Sequence, residues 1–402
     1  MMKKTLWIIM GCLMTQWASA QTPKWVEKAR KAVFSVVTYD KGNQIKGTGN
    51  GFYIDNMGTA LSDYSLFEGA DRAVVINADG KQLDVLSIMG ANSMYDVVKF
   101  NTSFDKKQVS LPVAVQPAKV GETVYLLPYS TQKATTLQTG KVTAVDSIDV
   151  RSFYYTLEMK TGEKMVSCPI MNAQGEVLGM IQRNASAESM ESYALGASFG
   201  VNLGISALSM NDGALNQIGI KKALPDTEEQ ALVYLYMSAE TMDNESYSKL
   251  LNDFLVQYPN SMEGYIRRAN LNMLGDDAGK YALAEEDLKK AMEVATNKSE
   301  CNYQVAKSIY GYLLSLGDKE PHTAWTYEKA LELVRYAIQM ENQPLHIQLE
   351  GDILFAQGNY ADGFTSYNKV NQSELASAAT FYSACKAKQL MEGSDMNEVL
   401  AL

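Results

Sequence analysis

Residues 163–180 read EKMVSCPIMNAQGEVLGM. In the middle, Asn172-Ala173-Gln174-Gly175 is a cluster of turn formers. It separates two apolar runs, Pro169-Ile170-Met171 and Val177-Leu178-Gly179-Met180. Short apolar runs on either side of such a cluster read as a pair of antiparallel strands joined by a tight turn. The same pattern extends over residues 30–212. AVFSVVTY (32–39), AVVINA (73–78), TVYLLPYS (123–130), FYYTLEM (153–159) and EVLGMIQ (176–182) are short strand-like runs, punctuated by Asp79-Gly80 and Asn211-Asp212-Gly213. Many short strands at this spacing predict a barrel or a sandwich. Residues 24–33 read as a short leading helix.

From about residue 226 the composition changes: Gly and β-branched residues thin out, and Ala, Leu, Glu and Lys recur at helical spacing. Residues 214–225 read as a linker. Asp226-x-x-Glu229 has the form of a helix-starting capping box. The helical half repeats itself. Tyr247, Tyr281, Tyr327 and Tyr360 each precede a small or aliphatic residue by three positions and an apolar one by seven, and they lie 34, 46 and 33 residues apart. The 46-residue interval implies an insertion of about twelve residues against a 34-residue repeat.

The first twenty residues, MMKKTLWIIMGCLMTQWASA, read as a secretory signal, with Lys3 and Lys4 at the charged end, an apolar stretch from Thr5 to Met14, and Ala18-Ser19-Ala20 at the cleavage site. Gly11-Cys12 offers a second reading, a lipid anchor at Cys12. The expected location is therefore exported, periplasmic or secreted. No stretch is long and apolar enough to span a membrane. Loss of Lys3 and Lys4, with no acid, takes the formal charge from -10 to -12. That balance disfavours nucleic acid, because there is no basic excess to displace phosphate counterions. Once Cys12 leaves with the signal, Cys168, Cys301 and Cys385 remain, an odd and scattered set that is no disulfide scaffold. A Cys301–Cys385 bridge and buried free thiols are the two readings.

Four blocks in the β half, in order, resemble the HtrA-like branch of the trypsin-like serine proteases. Gly47-Thr48-Gly49-Asn50-Gly51-Phe52-Tyr53-Ile54-Asp55 resembles G-T-G-S-G-F-V-I-D. Ala60-Leu61-Ser62-Asp63-Tyr64-Ser65 stands where that family has I-L-T-N-x-H, and Tyr95-Asp96-Val97-Val98 where it carries the triad aspartate. The fourth block is the opening stretch, against G-N-S-G-G-P-L-x-N-x-x-G-x-V-x-G. The resemblance covers roughly residues 30–205 and implies an all-β, chymotrypsin-like double β-barrel. The repeats of the second half resemble tetratricopeptide (TPR) repeats, which implies an all-α helical solenoid. The expected division is a signal at 1–20, a protease-like domain at 21–213, a linker at 214–225 and TPR-like repeats at 226–402.

The catalytic positions depart from the family pattern. Ser65 stands at the histidine position. With the strands aligned on Pro169, Val166 stands at the nucleophile, Lys164-Met165 replace the preceding G-N, and Ser167-Cys168 replace the following G-G. Asp96 alone is retained. Independently of alignment, the chain's two histidines, His322 and His346, both lie in the helical half. A serine hydroxyl needs a base to take its proton as it attacks, and the triad aspartate serves only to orient that base. Without imidazole, Asp96 reads as a polar residue bonding nearby backbone amides. Lys164 also removes a glycine that helps to shape the oxyanion turn.

A shifted nucleophile, Ser167 or Cys168, is the competing reading. It would make the chain a divergent peptidase, with Lys164 as a candidate base. No His/Cys cluster has zinc spacing and no glycine loop cradles phosphate, so no metal and no cofactor is expected. The sequence thus predicts an exported, catalytically inactive protease homologue that binds proteins or peptides as a scaffold or adaptor. Arg267, Arg268, Asn270, Gln348 and Asp352 are candidates for a binding face on the helices, or simply exposed helix residues.

Overall fold

The computed structural model describes residues 23–400 apart from 105–107, 133–136, 187–188 and 276. The expected signal and Cys12 lie outside the described residues. The chain divides into two compact units. One ends at Ala223 and holds the strands; the other runs from Leu224 and also takes Ser206–Met210.

In the first unit, helix α1 (Val26–Ala29) continues as a 3-10 turn at Arg30–Ala32 and leads into β1 (Val33–Tyr39). With β2 (Ile45–Tyr53), β3 (Thr59–Ser62), β4 (Arg72–Ile76), β5 (Gln82–Asn92) and β6 (Val97–Thr102), it closes a barrel in the order β1-β2-β3-β6-β5-β4. Strands β7 (Thr123–Leu126), β8 (Gln138–Ser147), β9 (Phe153–Glu158), β10 (Pro169–Met171), β11 (Val177–Ile181) and β12 (Glu191–Gly196) close a second in the order β10-β11-β12-β9-β8-β7. The ladders are antiparallel. This is the double barrel that the motif order implies.

Strand β5 shows how sequence period becomes an interior. Leu83 and Val85 are buried while Gln82, Asp84 and Leu86 are exposed; the next buried side chain, Ile88, comes three residues on. A register shift between Val85 and Ser87 absorbs the odd step, as a bulge does. Phe34, Phe52, Tyr53, Phe67 and Phe100 fill the first barrel, with Phe34 and Tyr53 rings 4.6 Å apart. Gly51 lets β1 and β3 approach: a Cβ there would stand 2.5 Å from the Phe34 ring and 2.6 Å from the Leu61 carbonyl oxygen. The second barrel packs Val124, Leu126, Val142, Leu157, Ile170 and Ile181. The opening stretch forms its β10–β11 hairpin, and the Asn172 side-chain oxygen accepts from Gln174 N (3.0 Å) and Glu176 N (2.9 Å). Gly175 takes φ +83°, a conformation easy only for glycine.

Short helices lie at α2 (Tyr64–Phe67), α3 (Ala197–Asn202) and α4 (Gly213–Asn216). The stretch read as a linker runs along the first barrel as far as Ala223: Gly69 N donates to Gln217 O (2.7 Å), Gly219 N to Ala70 O (2.8 Å), Ile88 N to Lys221 O (2.8 Å), and Ala223 N to Ile88 O (2.8 Å).

The second unit contains helices α5 (Glu228–Thr241), α6 (Asn244–Gln257), α7 (Met262–Met273), α8 (Ala278–Val294), α9 (Lys298–Ser315), α10 (Tyr327–Met340), α11 (Pro344–Ala356), α12 (Tyr360–Asn371), α13 (Ala378–Leu390) and α14 (Met396–Leu400). The four repeat segments fall on α6, α8, α10 and α12. Their starts are written in the sequence: Asp243, Ser261, Asp277, Asn297, Thr326, Asn359 and Ser377 each accept a first-turn N–H. The expected capping box at Asp226 is not formed. Thr227 caps α5 instead, accepting from Gln230 N at 3.4 Å. The inserted residues fall after α9, where Trp325 is buried and packs edge-to-face with Tyr312 (4.9 Å) and Tyr281 (5.3 Å). Cys301 and Cys385 are free thiols, so that bridge does not form. Among the described residues no helix is long and apolar enough to cross a membrane.

Candidate functional site

Three loops of the first unit bring the sequence-predicted positions together. The β3–α2 junction carries Ser62, Asp63 and Ser65. The β5–β6 turn carries Asp96, at φ +45°. The segment leading into β10 is a 3-10 turn, Glu163–Met165, followed by Val166, Ser167 and Cys168.

Asp96 does meet Ser65. Its Oδ1 accepts from Ser65 N at 2.6 Å and its Oδ2 from Ser65 Oγ at 3.1 Å. Asp63 is the N-cap residue of α2 but makes no capping bond of its own. Ser65 N, in the first turn, is the kind of donor that an N-cap side chain normally takes. Asp96 thus caps α2 in place of Asp63. Burial raises the pKa of Asp96 most, the Ser65 N–H opposes that, and the nearby Asp63 raises it again.

Asp63, released from capping, is 3% exposed and faces the second barrel. Ser167 Oγ donates to its Oδ1 at 2.8 Å. Ser62 Oγ lies 3.2 Å from the same oxygen, yet its single hydrogen has a closer acceptor, Asn50 O at 2.6 Å. Ser65 Oγ is 3.3 Å from Asp63 Oδ2. A second bridge runs beside the first: Asn50 Nδ2, on β2, donates to Lys164 O (3.0 Å) and Val166 O (2.9 Å). The two barrels are thereby joined beside the positions aligned with the family's catalytic residues.

Val166 is an apolar residue 7% exposed. The recess beside it, lined by Thr161, Gly162, Glu163, Val166, Gln182 and Asn184, holds about 10 Å³, room for one water at most. Arg183 pairs with Glu163 at the rim. Ser167 is fully buried, at φ +64°, with its N–H on Ile181 O (2.9 Å). Cys168 is fully buried too, and desolvation pushes its thiol up to about 12. Neither side chain meets an imidazole or an amine: Ser167 donates to the buried Asp63 carboxylate, and Lys164 at the surface is joined to the network through its backbone oxygen.

Residues 49–180 match the trypsin-like peptidase domain. The matched stretch runs from β2 to β11 and contains every catalytic position discussed above; the helical unit lies outside it. No curated protein matches the chain. Within the matched stretch, sequence reasoning missed Asn50 and Asp63. The signal was available: both depart from the family pattern, Asn50 for Ser and Asp63 for Asn, inside blocks otherwise close to it.

In the helical unit, Arg268 is removed from the candidate binding set. Its Nε and Nη2 donate to Asp287 at 2.9 and 2.7 Å, a bidentate clasp between α7 and α8. Asp352 accepts from Tyr367 OH at 2.8 Å, and Gln348 is half-buried on α11. Arg267 and Asn270 come together in one groove. Both imidazoles sit in local packing of this unit: His346 is buried, with its ring 4.7 Å from Tyr303, and the His322 ring lies tilted against Trp325 at 4.6 Å.

Proposed function

We propose that the chain is an exported, catalytically inactive homologue of the trypsin-like peptidases that binds proteins or peptides, with its TPR-like helical half supplying a binding face. The observation that carries this reading is the use made of Ser167, the one serine beside the nucleophile position. It is fully buried, and its hydroxyl is spent on Asp63 in the other barrel. A nucleophile needs an oxygen that substrate can reach; Ser167 Oγ is buried, and the carboxylate beside it is buried with it. Val166 beside it has no reactive atom, and the recess it faces is too small for a substrate side chain. A reactive cysteine needs a lowered pKa, whereas burial moves Cys168 the other way.

The test is peptidase activity of residues 21–402. The protein is incubated with a mixture of unfolded proteins and new chain termini are read by mass spectrometry. The expected result is no new termini beyond those of a heat-inactivated sample. Cleavage that disappears in a Ser167→Ala/Cys168→Ala variant would establish the divergent peptidase instead.

A further inference from the structure

A line of side-chain oxygens in the first unit joins the β5–β6 turn to the segment before β10. Asp96 Oδ2 lies 3.1 Å from Ser65 Oγ, Ser65 Oγ lies 3.3 Å from Asp63 Oδ2, and Asp63 Oδ1 lies 2.8 Å from Ser167 Oγ. The hydroxyls of Ser65 and Ser167 carry one hydrogen each. Two hydrogens therefore serve three oxygen–oxygen contacts. The Ser65 N–H is already on Asp96 Oδ1 at 2.6 Å, and the Ser62 hydrogen is on Asn50 O. Whichever carboxylate the Ser65 hydrogen serves, the other meets that hydroxyl oxygen lone pair to lone pair.

One added proton completes the line. On Asp96 Oδ2 it donates to Ser65 Oγ, whose own hydrogen then turns to Asp63 Oδ2. On Asp63 Oδ2 it donates to Ser65 Oγ, whose hydrogen turns to Asp96 instead. In both arrangements Asp63 Oδ1 still accepts from Ser167. Carboxylates that share a site hold one proton above the ordinary range, because like charges disfavour the second ionisation. Burial is the largest cause raising the Asp96 carboxyl, Asp63 raises it further, and Arg183, after β11, opposes. Arg183 is itself paired with Glu163. Tyr64 on α2 also faces Asp96, and burial holds its hydroxyl in the neutral form.

The backbone supplies an independent observation. Asp96 and Ser167, the two ends of the line, are both held at positive φ, +45° and +64°. Such conformations persist only where the surroundings fix them, and they gather at switch regions. Weakening the line releases strain at both ends.

We propose that Asp63 and Asp96 share one proton across the Ser65 hydroxyl, and that this proton is a pH-sensitive latch on the joint between the two barrels. With the proton bound, the line from Asp96 to Ser167 is continuous. When it leaves to solvent, two like charges face one oxygen and the joint loosens. The folded protein holds this proton at a pH where the unfolded chain, with aspartates near about 3.9, has released it. The contribution is complete below the unfolded value and is lost as pH rises through the folded one.

The test is native-state hydrogen exchange of residues 21–402, read by mass spectrometry between pH 4.5 and 7.5. Each rate is divided by that of the unfolded chain at the same pH, which gives a protection factor. The reporter is the peptide 163–168, where Ser167 N is held on Ile181 O at 2.9 Å. Asp96→Asn and Asp63→Asn each place an amide N–H where the proton sits, at every pH. Protection of this peptide in each variant, relative to wild type, should rise by about tenfold or more across that range. Peptides of α9 should not follow. Ser65 is exposed, so Ser65→Ala removes the shared oxygen without touching the core. Its protection should vary with pH less than that of the wild type.

A relative protection that does not change with pH in either Asn variant overturns the proposal. A rise with Asp96→Asn alone, and a pH dependence in Ser65→Ala as steep as in wild type, means that Asp96 titrates by burial with no shared proton, and overturns it too. An equal rise in the α9 peptides places the effect in global stability rather than at the joint, again against the proposal.

Discussion

Ser167 takes a left-handed backbone conformation, φ +64°, at a position where the related pattern has glycine. For a residue with a Cβ that conformation costs about 1–2 kcal/mol. The hydroxyl offsets it by reaching Asp63 at 2.8 Å; a hydrogen bond to a charged group is worth about 1.5–3 kcal/mol. Ser167→Ala keeps the strain and loses the bond, so it should destabilise the first unit by about 1.5–3 kcal/mol in denaturant melts. Ser167→Gly loses the bond but also the strain, and should be milder by about 1 kcal/mol.

Asp96 gives a pH test. Its folded pKa is raised, burial being the main cause. The folded protein therefore takes up that proton at higher pH than the unfolded chain does, and stability is lost as pH rises through the folded value. Asp96→Asn keeps an oxygen to accept from Ser65 N and removes the charge. It should raise the melting temperature at pH 7.5, with the gain shrinking toward pH 4. Cys168, with its thiol pushed up to about 12, should resist thiol reagents at pH 8 until the protein unfolds, while half-buried Cys385 reacts.

At the scale of elements, two glycines make opposite forecasts. Gly311 in α9 has open space around it. Gly351 in α11 does not: a Cβ there would stand 2.9 Å from the Tyr367 ring, and that ring is held by its hydroxyl on Asp352 at 2.8 Å. Gly351→Ala should therefore destabilise the α11–α12 pair by about 1–2 kcal/mol despite its better helix propensity, a loss measurable in the thermal melt.

The strands and helices were legible because each half keeps a single period, two or 3.6, and because caps and turns are local chemistry. The Asn172 turn and the caps at Asp243 and Ser377 follow from neighbours in sequence. The α5 cap was misplaced by one residue because Asp226 and Thr227 are both good caps and only the backbone path chooses between them. What could not be read was the use of Asp63 and Asn50. Their partners lie more than a hundred residues away on another barrel, and no periodicity records such a contact.

For the whole molecule, the boundary between the units sits later than the composition suggests. Residues 214–223 lie between the two composition regimes, yet backbone bonds tie them to the first barrel and Leu215, Ile218 and Ile220 are buried. A fragment ending at 213 leaves Ile88 N and Gly69 N without their acceptors. It should melt lower than a fragment ending at Ala223, and circular dichroism of the two compares them directly.

The central claim is that Asp63 and Ser167, beside the positions aligned with the family's catalytic residues, join the two barrels. A double-mutant cycle on Asp63→Ala and Ser167→Ala, measured by equilibrium denaturation, tests it most directly. A coupling of about 1.5–3 kcal/mol is predicted. A coupling below about 0.5 kcal/mol, the scatter expected of independent sites, would contradict it.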